Sequence, residues 1–171
     1  MKKVYTCFCT DVIHEGHLNI LREAGKYGQV TVGILSDAAM IKFNTIPTIT
    51  MDERARIVQE TGLADSVVIQ NEIMYDKVFA DLRPDYVIHG DNWREGPERA
   101  IRQNVLDNMR KYGGELIEIA YTHNANVKKI DDNIREKLAM PEYRRRRLRQ
   151  LIRLVKFPIV LNNRLLRDQS R

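Results

Sequence analysis

Apolar runs and amphipathic periods alternate along the first 120 residues. KVYTCFCT, from Lys3 to Thr10, is a short apolar run of β-forming residues and predicts a strand. HLNILREAGKYG follows, with Leu18, Leu21 and Ala24 at helical spacing and Gly28 marking the stop. QVTVGILSD predicts a second strand. TMDERARIVQETG predicts the best-marked helix: Thr50 and Glu53 form a capping box, acidic residues fill the first turn, and Gly62 lies just past the end. SVVIQ predicts a third strand, YDKVFADLR a short helix stopped by Pro84, and DYVIHGD a fourth strand. GPERAIRQNVLDNMRKYGG predicts a helix with Pro97 near its first turn and glycines at its end. ELIEIA then predicts a fifth strand, and VKKIDDNIREKLAM a final helix.

Strands and helices thus alternate five times. The strands run apolar without strict alternation, as strands covered on both faces do. The pattern predicts an α/β fold, a doubly wound parallel sheet of five strands. Residues 1–140 are expected to form one domain. Pro141 opens residues 141–171, a basic helical tail or the start of a truncated further domain. Leu148, Leu151, Ile152 and Val155 form an apolar stripe there, which suits helix docking or a dimer contact as well as a solvated arm.

Charge sharpens that division. The chain of 171 residues carries 28 Lys/Arg against 23 Asp/Glu, a net +5. Residues 142–171 hold ten Lys/Arg and two Asp/Glu, so residues 1–141 are acidic at −3. The basic balance therefore belongs to the tail, which weighs against nucleic-acid binding as a core function. For the tail itself, acidic partners or membrane phosphates are the alternative to a solvated face. No stretch is long and apolar enough to cross a bilayer. MKKVYTCFCTD reads as a first strand, since its apolar run ends at Asp11 without a small-residue cleavage site. The expectation is a cytoplasmic protein with no membrane or nucleic-acid partner. The two cysteines, Cys7 and Cys9, give no disulfide framework.

The candidate chemistry starts at TDVIHEGHLNIL, Thr10 to Leu21. His14 and His17 flank Gly16 where the first strand hands over to the first helix. Zinc held by Cys7, Cys9, His14 and His17 is disfavoured, because all four would have to converge through a strand needed in the core. Two histidines satisfied by backbone or water in a turn is the plain alternative. Phosphate chemistry is the third. Ligands of a doubly wound sheet bind in the crevice at its switch point. Gly16 admits close backbone approach, and a helix beginning near His17 offers unpaired N–H groups and a positive dipole end. Two imidazoles there can donate hydrogen bonds to a phosphate in transfer. Neither a P-loop nor a GxGxxG motif follows a strand, so P-loop kinases and nicotinamide dehydrogenases lose support.

HEGH matches the HxGH signature of the nucleotidyltransferase superfamily, following a strand that ends in Thr-Asp. SD (Ser36, Asp37), MDERARIV and HGDNW (His89 to Trp93) resemble its cytidylyltransferase branch, in order and spacing, over residues 3 to about 123. Within the branch, DVIHEGHLNIL, VTVGILSD, RPDYVIHGDNWREG and YGGELIEIAYT are most similar to the domains fused to phosphoenolpyruvate mutase in phosphonate biosynthesis. That group includes enzymes that load 2-hydroxyethylphosphonate, in fosfomycin biosynthesis, or 2-aminoethylphosphonate with CMP. LRQLIRLVKFPIVL in the tail resembles the first segment of the mutase domain.

The resemblance implies a Rossmann-like nucleotidyltransferase fold, CTP and a small phosphonate or phosphate acceptor as partners, Mg²⁺ bridging the phosphates, and a homodimer. His14 and His17 would stabilise charge growing on the α- and β-phosphates. Arg54, the arginine of the ER element, would bind the triphosphate; a capped surface helix with an exposed arginine is the plain alternative. Gly90, Asp91 and Trp93 match GDxW and would hold the nucleoside, with simple packing the alternative for Trp93. His89 is expected only to end strand four. Backbone at Cys9 and Thr10 would lie beside the nucleotide. Two elements depart from the family pattern. A phosphate-binding lysine normally follows SD; Lys42, the only lysine between Asp37 and Arg54, is the candidate. The family's Thr-x-Gly-Ile-Ser-Ser/Thr-Thr element is replaced by YTHNANVKKI. There Tyr121 and Thr122 fit, Asn126 is placed to cap a helix, and Lys128 substitutes a charge for hydroxyl donors.

Overall fold

The computed structural model describes residues 1–9, 11–43, 45–120 and 122, then 129, 132–133, 136–137 and 139–154. Five strands, β1 (Lys3–Phe8), β2 (Gln29–Leu35), β3 (Ser66–Gln70), β4 (Tyr86–Gly90) and β5 (Glu115–Ile119), form one sheet in the order β3-β2-β1-β4-β5. Every pairing is parallel. The helices are α1 (Glu15–Gly25), α2 (Asp37–Lys42), α3 (Met51–Glu60), α4 (Asp76–Asp81), α5 (Arg99–Tyr112) and α6 (Pro141–Leu154). The chain steps outward from β1 to β3, then returns to the other side of β1 with β4. The carboxyl ends of β1 and β4 therefore flank the switch point, where the loops of an open α/β sheet part to form a crevice.

The predicted doubly wound sheet is present, and of the basic residues 141–171 the part Pro141–Leu154 is the helix α6. The inner strands β1, β2 and β4 are largely buried on both faces, which explains their unbroken apolar runs, while the edge strands β3 and β5 are mostly half-buried. Alternation along β1 sends Val4 and Phe8 into a core with Leu21 and Ala24 of α1 and Val58 of α3. It sends Tyr5 into a second core with Phe79 of α4 and Val105 of α5. Gly33 on β2 is small for a reason: a Cβ there would stand 1.9 Å from the Tyr5 hydroxyl. The vacant space lets that hydroxyl donate to Gln70 Oε1 at 2.6 Å, with the Tyr5 ring edge-on to Tyr75.

Three boundaries differ from the sequence expectation. α1 starts at Glu15, two residues early, because the His14 side chain caps it. α2 was not anticipated; its six residues are too few to show a helical period, and Ser36 caps it by accepting from the Ala39 amide at 3.2 Å. Pro97 sits in a separate one-turn 3₁₀ helix, Gly96–Glu98, ahead of α5. The Thr50/Glu53 capping box of α3 forms as expected. The helix predicted over residues 127–140 lies largely outside the described residues. Of the tail's apolar stripe, Leu148 packs on Ile46, with Ile41 beside it.

Candidate active site

The HEGH segment builds its own geometry. His14 is in extended conformation, and its Nδ1 accepts the Gly16 amide at 3.1 Å. His17, at the third helical position, turns its Nδ1 back to accept the His14 amide at 3.4 Å. Histidines thus fill both places of a capping box normally made by Ser/Thr and Glu. An imidazole nitrogen that accepts an amide carries no proton, so the hydrogen of each ring sits on Nε2. Both rings therefore present Nε2–H as a donor. The rings lie 4.0 Å apart, and Phe8 meets His17 edge-on at 4.6 Å. Burial, then the neighbouring His14 and His89, lowers the His17 pKa to about 3. His17 is neutral at physiological pH, a fixed dipole rather than a switchable charge.

The end of β4 supplies the facing wall. The His89 ring stacks on Trp93 with centroids 3.7 Å apart and planes 6° from parallel. Its Nδ1 lies 2.8 Å from the Gly90 carbonyl, which assigns the proton to Nδ1 and leaves Nε2 as an acceptor. Burial lowers its pKa too. Trp93 is 1% exposed and donates its indole N–H to Glu118 Oε1 at 2.8 Å. Arg94 and Arg102 donate to the same carboxylate. Hydrogen bonding from Arg102 leads the causes that bring Glu118 to a pKa of about 2, so it stays ionised. The expected nucleoside platform is thereby anchored to β5.

These walls enclose a cavity of about 630 Å³. His14, His17, Cys9, Gly90, Trp93 and Thr122 line it, so the structure brings these sequence candidates together. Thr122 accepts from Asn19 at 3.2 Å, tying the segment after β5 to α1. Burial raises the Cys9 thiol to about 11, so it faces the cavity protonated. Asp91 and Lys42 do not line it among the described residues; Lys42 is exposed at the last turn of α2. Thr10, Tyr121, Asn126 and Lys128 lie outside the described residues. Sequence reasoning missed Asp11, Asn19, Asn92, Glu98 and Arg144 as cavity residues, and gave His89 only a strand-ending role. Position beside HEGH and HGDNW flags the first three and His89. Arg144 depends on how α6 docks, which local pattern does not encode.

Arg54 is placed differently from either sequence alternative. It is 2% exposed and absent from the described cavity wall. Its Nη2 donates to Asp37 at 2.5 Å, and its Nε lies 3.7 Å from Asp11 Oδ1. Asp11 in turn accepts the amide and hydroxyl of Thr48 at 2.5 and 2.8 Å. One guanidinium on α3 thus ties the segment leading into HEGH to the start of α2.

The chain and its fold have counterparts among known proteins. The bifunctional protein HldE of Pseudomonas aeruginosa (strain UCBPP-PA14) is 27% identical over 139 residues, 80% of this chain and 28% of the relative. HldE of Geobacter metallireducens is 31% identical over 136 residues, 78% of this chain and 27% of the relative. The chain thus spans roughly a quarter of the length of the curated relatives it matches. Among solved structures, the lipopolysaccharide core biosynthesis protein from Thermoplasma volcanium GSS1 superposes with a TM-score of 0.61 at 20% identity, covering 72% of this chain and 99% of that one. Pantoate-beta-alanine ligase from Francisella tularensis gives 0.53 at 11%, covering 72% and 60%. At such identities these two show the shared fold. The family described as cytidylyltransferase-like matches residues 5–105, more than half the chain, and the chain belongs to that family.

Proposed function

We propose that this protein is a cytidylyltransferase that moves CMP from CTP to a small phosphonate, 2-hydroxyethylphosphonate or 2-aminoethylphosphonate, and releases diphosphate. The observation that carries transfer chemistry is the His14–His17 pair: two Nε2–H donors, fixed by backbone capping at the head of α1, on the wall of a cavity at the switch point. An acceptor oxygen attacks the α-phosphorus, the bond to the bridging oxygen breaks, and diphosphate departs with the negative charge. Donors fixed in advance stabilise that growing charge without reorganising. The phosphonate assignment rests on the sequence resemblance.

Asp11 lines the cavity, but its Oδ1 faces Arg54 Nε at 3.7 Å and its Oδ2 accepts from Thr48, and among the described residues no cluster of three or more His, Cys, Asp or Glu side chains is built to hold a metal. Mg²⁺ would therefore come with the nucleotide. The ion, carried mainly by the nucleotide phosphates, would neutralise their charge. Arg54 acts here by holding Asp11 and Asp37 in place; Lys128 and Asn126 remain candidates for the triphosphate, whereas Lys42 is exposed at the last turn of α2, off the cavity wall. Asp91 would serve GDxW through its backbone. Homodimerisation is the expected assembly, read by light scattering.

A second reading keeps the reaction and changes the substrates. HldE proteins match 78–80% of this chain, well beyond the HEGH motif, which makes the nucleotide and acceptor of that group the alternative to CTP and a phosphonate. The deciding assay is diphosphate release with CTP or ATP, Mg²⁺ and a panel of acceptors. The panel holds both phosphonates, phosphoethanolamine, phosphocholine, glycerol 3-phosphate and a sugar phosphate. Turnover needing CTP and a phosphonate together supports the first reading; turnover with another acceptor or ATP replaces it. Nucleotide binding without turnover on any acceptor makes the protein a nucleotide-binding module.

A further inference from the structure

The basic C-terminal helix does not simply trail from the domain. Leu148 of α6 is 8% exposed and packs on Ile46 in the segment between α2 and α3. Arg144 lies one helical turn before Leu148, and residues four apart share a helix face. Docking Leu148 on Ile46 therefore turns Arg144 inward, and Arg144 lines the same cavity as His14 and His17. Among the described residues of that cavity it is the only Lys or Arg, whereas Asp11 and Glu98 supply carboxylates.

Position within the cavity assigns the charge. The histidines sit at the seam between β1 and β4. On the β4 side stand Gly90 and Trp93, the nucleoside half under the proposed function. On the β2 side stand Leu35, Met40, Phe43 and Ile46, and α6 closes this half through Ile46. An acceptor attacking the α-phosphorus must approach from the side the nucleotide leaves open. That half is lined mostly by apolar side chains, with Thr45 and the Asp11 carboxylate beside them, and a dianionic acceptor entering it needs a cation. A guanidinium matches a tetrahedral oxyanion with two parallel N–H donors.

We propose that Arg144 binds the phosphonate or phosphate group of the acceptor and is a specificity-determining residue of this site; this inference rests on the nucleotidyltransfer reading above. The basic helix then has a function its composition alone would not suggest: it closes the acceptor half of the site and carries that half's charge.

The test uses the full chain with Arg144→Ala, Arg144→Lys and, as a control on the exposed face of the same helix, Arg145→Ala. The acceptor KM is measured at saturating CTP with a phosphonate and with a phosphate ester, and CTP affinity by calorimetry. Arg144→Ala should raise the acceptor KM about tenfold or more for both acceptor types, as loss of a charge-assisted pair does. CTP affinity should stay within about twofold, Arg144→Lys should recover part of the loss, and Arg145→Ala should match the parent. An unchanged acceptor KM in Arg144→Ala overturns the proposal, and so does an equal loss of CTP affinity, which would move Arg144 to the triphosphate. If the parent turns over no acceptor, the nucleotidyltransfer reading fails separately. Phosphorus NMR titration with methylphosphonate then still decides: binding weakened by Arg144→Ala but not by Arg145→Ala upholds the anion site, and equal binding in all forms overturns it.

Discussion

Gly16→Ala tests whether the histidine pair is positioned by its own backbone. A Cβ at residue 16 would stand 2.9 Å from His14 Cε1 and 3.1 Å from its Nδ1. Ordinary contact begins at 3.4 Å, so the ring must retreat by about 0.5 Å. That same ring accepts the Gly16 amide at 3.1 Å, and a retreat of this size takes the pair past hydrogen-bonding range. Losing an N-cap costs about 1 kcal/mol. Alanine's better helix propensity offsets about 0.8 kcal/mol of it, so net stability should move by less than about 0.5 kcal/mol. Catalysis should not be spared. A misplacement of about 1 Å costs about a hundredfold, so half of that predicts a loss in kcat/KM of about tenfold. Gly25→Ala is the control, in the same helix with nothing within 4 Å of the added Cβ. It should stabilise by about 0.5 kcal/mol and leave turnover unchanged. Diphosphate release and urea unfolding read both variants. Turnover by Gly16→Ala at the parent rate would refute the claim that the cap sets the His14 position.

Acid should weaken the fold in two stages. His17 has its pKa lowered to about 3 against about 6.5 unfolded, so its contribution is complete above pH 6.5 and is lost as pH falls towards 3. From pH 6.5 to 5 this removes about 1 kcal/mol once partial exposure is allowed for, and His17→Gln should flatten that part of a urea-midpoint profile. Glu118, at about 2, adds its loss only below about pH 4.5, a part the variant should leave unchanged. Arg54→Met leaves Asp37 and Asp11 charged and buried, and should cost about 3–5 kcal/mol; a loss under about 1 kcal/mol would mean the pair is solvated. Trp93→Phe keeps a ring on His89 but removes the indole donor to Glu118, and should cost about 2 kcal/mol and raise the KM for CTP; an unchanged KM would separate Trp93 from the nucleoside. His14→Ala should slow turnover strongly while circular dichroism stays at the parent signal, and an unchanged rate removes His14 from the reaction.

The sheet was legible because its inner strands carry the signal of two-sided burial, and α3 because Thr50, Glu53 and Gly62 mark both ends chemically. α2 was not legible, since a six-residue helix needs only a cap, and Ser36-Asp37 reads equally as the end of a strand. At the site, His14, His17, Gly90 and Trp93 were found because each lies within two short motifs at the ends of adjacent strands. Arg54 shows the limit of motif reading. Its spacing in a capped helix predicted either a phosphate ligand or a surface charge, and it is a buried clamp. The difference arises from Asp11 and Asp37, which are 43 and 17 residues away and meet Arg54 only once β1 and β2 pair. Arg144 was missed for the same reason: Leu148 must find Ile46 before the arginine faces the cavity.

The electrostatics of the site follow from these placements. Among the described residues, the one deeply buried cation near HEGH, Arg54, is committed to two aspartates and leaves little net charge to offer a ligand. His17 and His89 are held neutral by burial. The inner wall therefore presents dipoles: two Nε2–H groups at the head of α1, whose amides at Gly16, His17 and Leu18 are taken up by His14 itself. Dipoles of this kind bind developing charge better than they bind a resting dianion, because they are fixed in direction and carry no net charge to trap a product. Diphosphate leaves such a wall more readily than it would leave a cluster of lysines. Among the described residues of the cavity, full positive charge then enters with the substrates, as a divalent cation on the nucleotide, or from the outer helix through Arg144. A site built this way should lose rate, more than ground-state affinity, when an inner donor is removed, and affinity, more than rate, when Arg144 is removed.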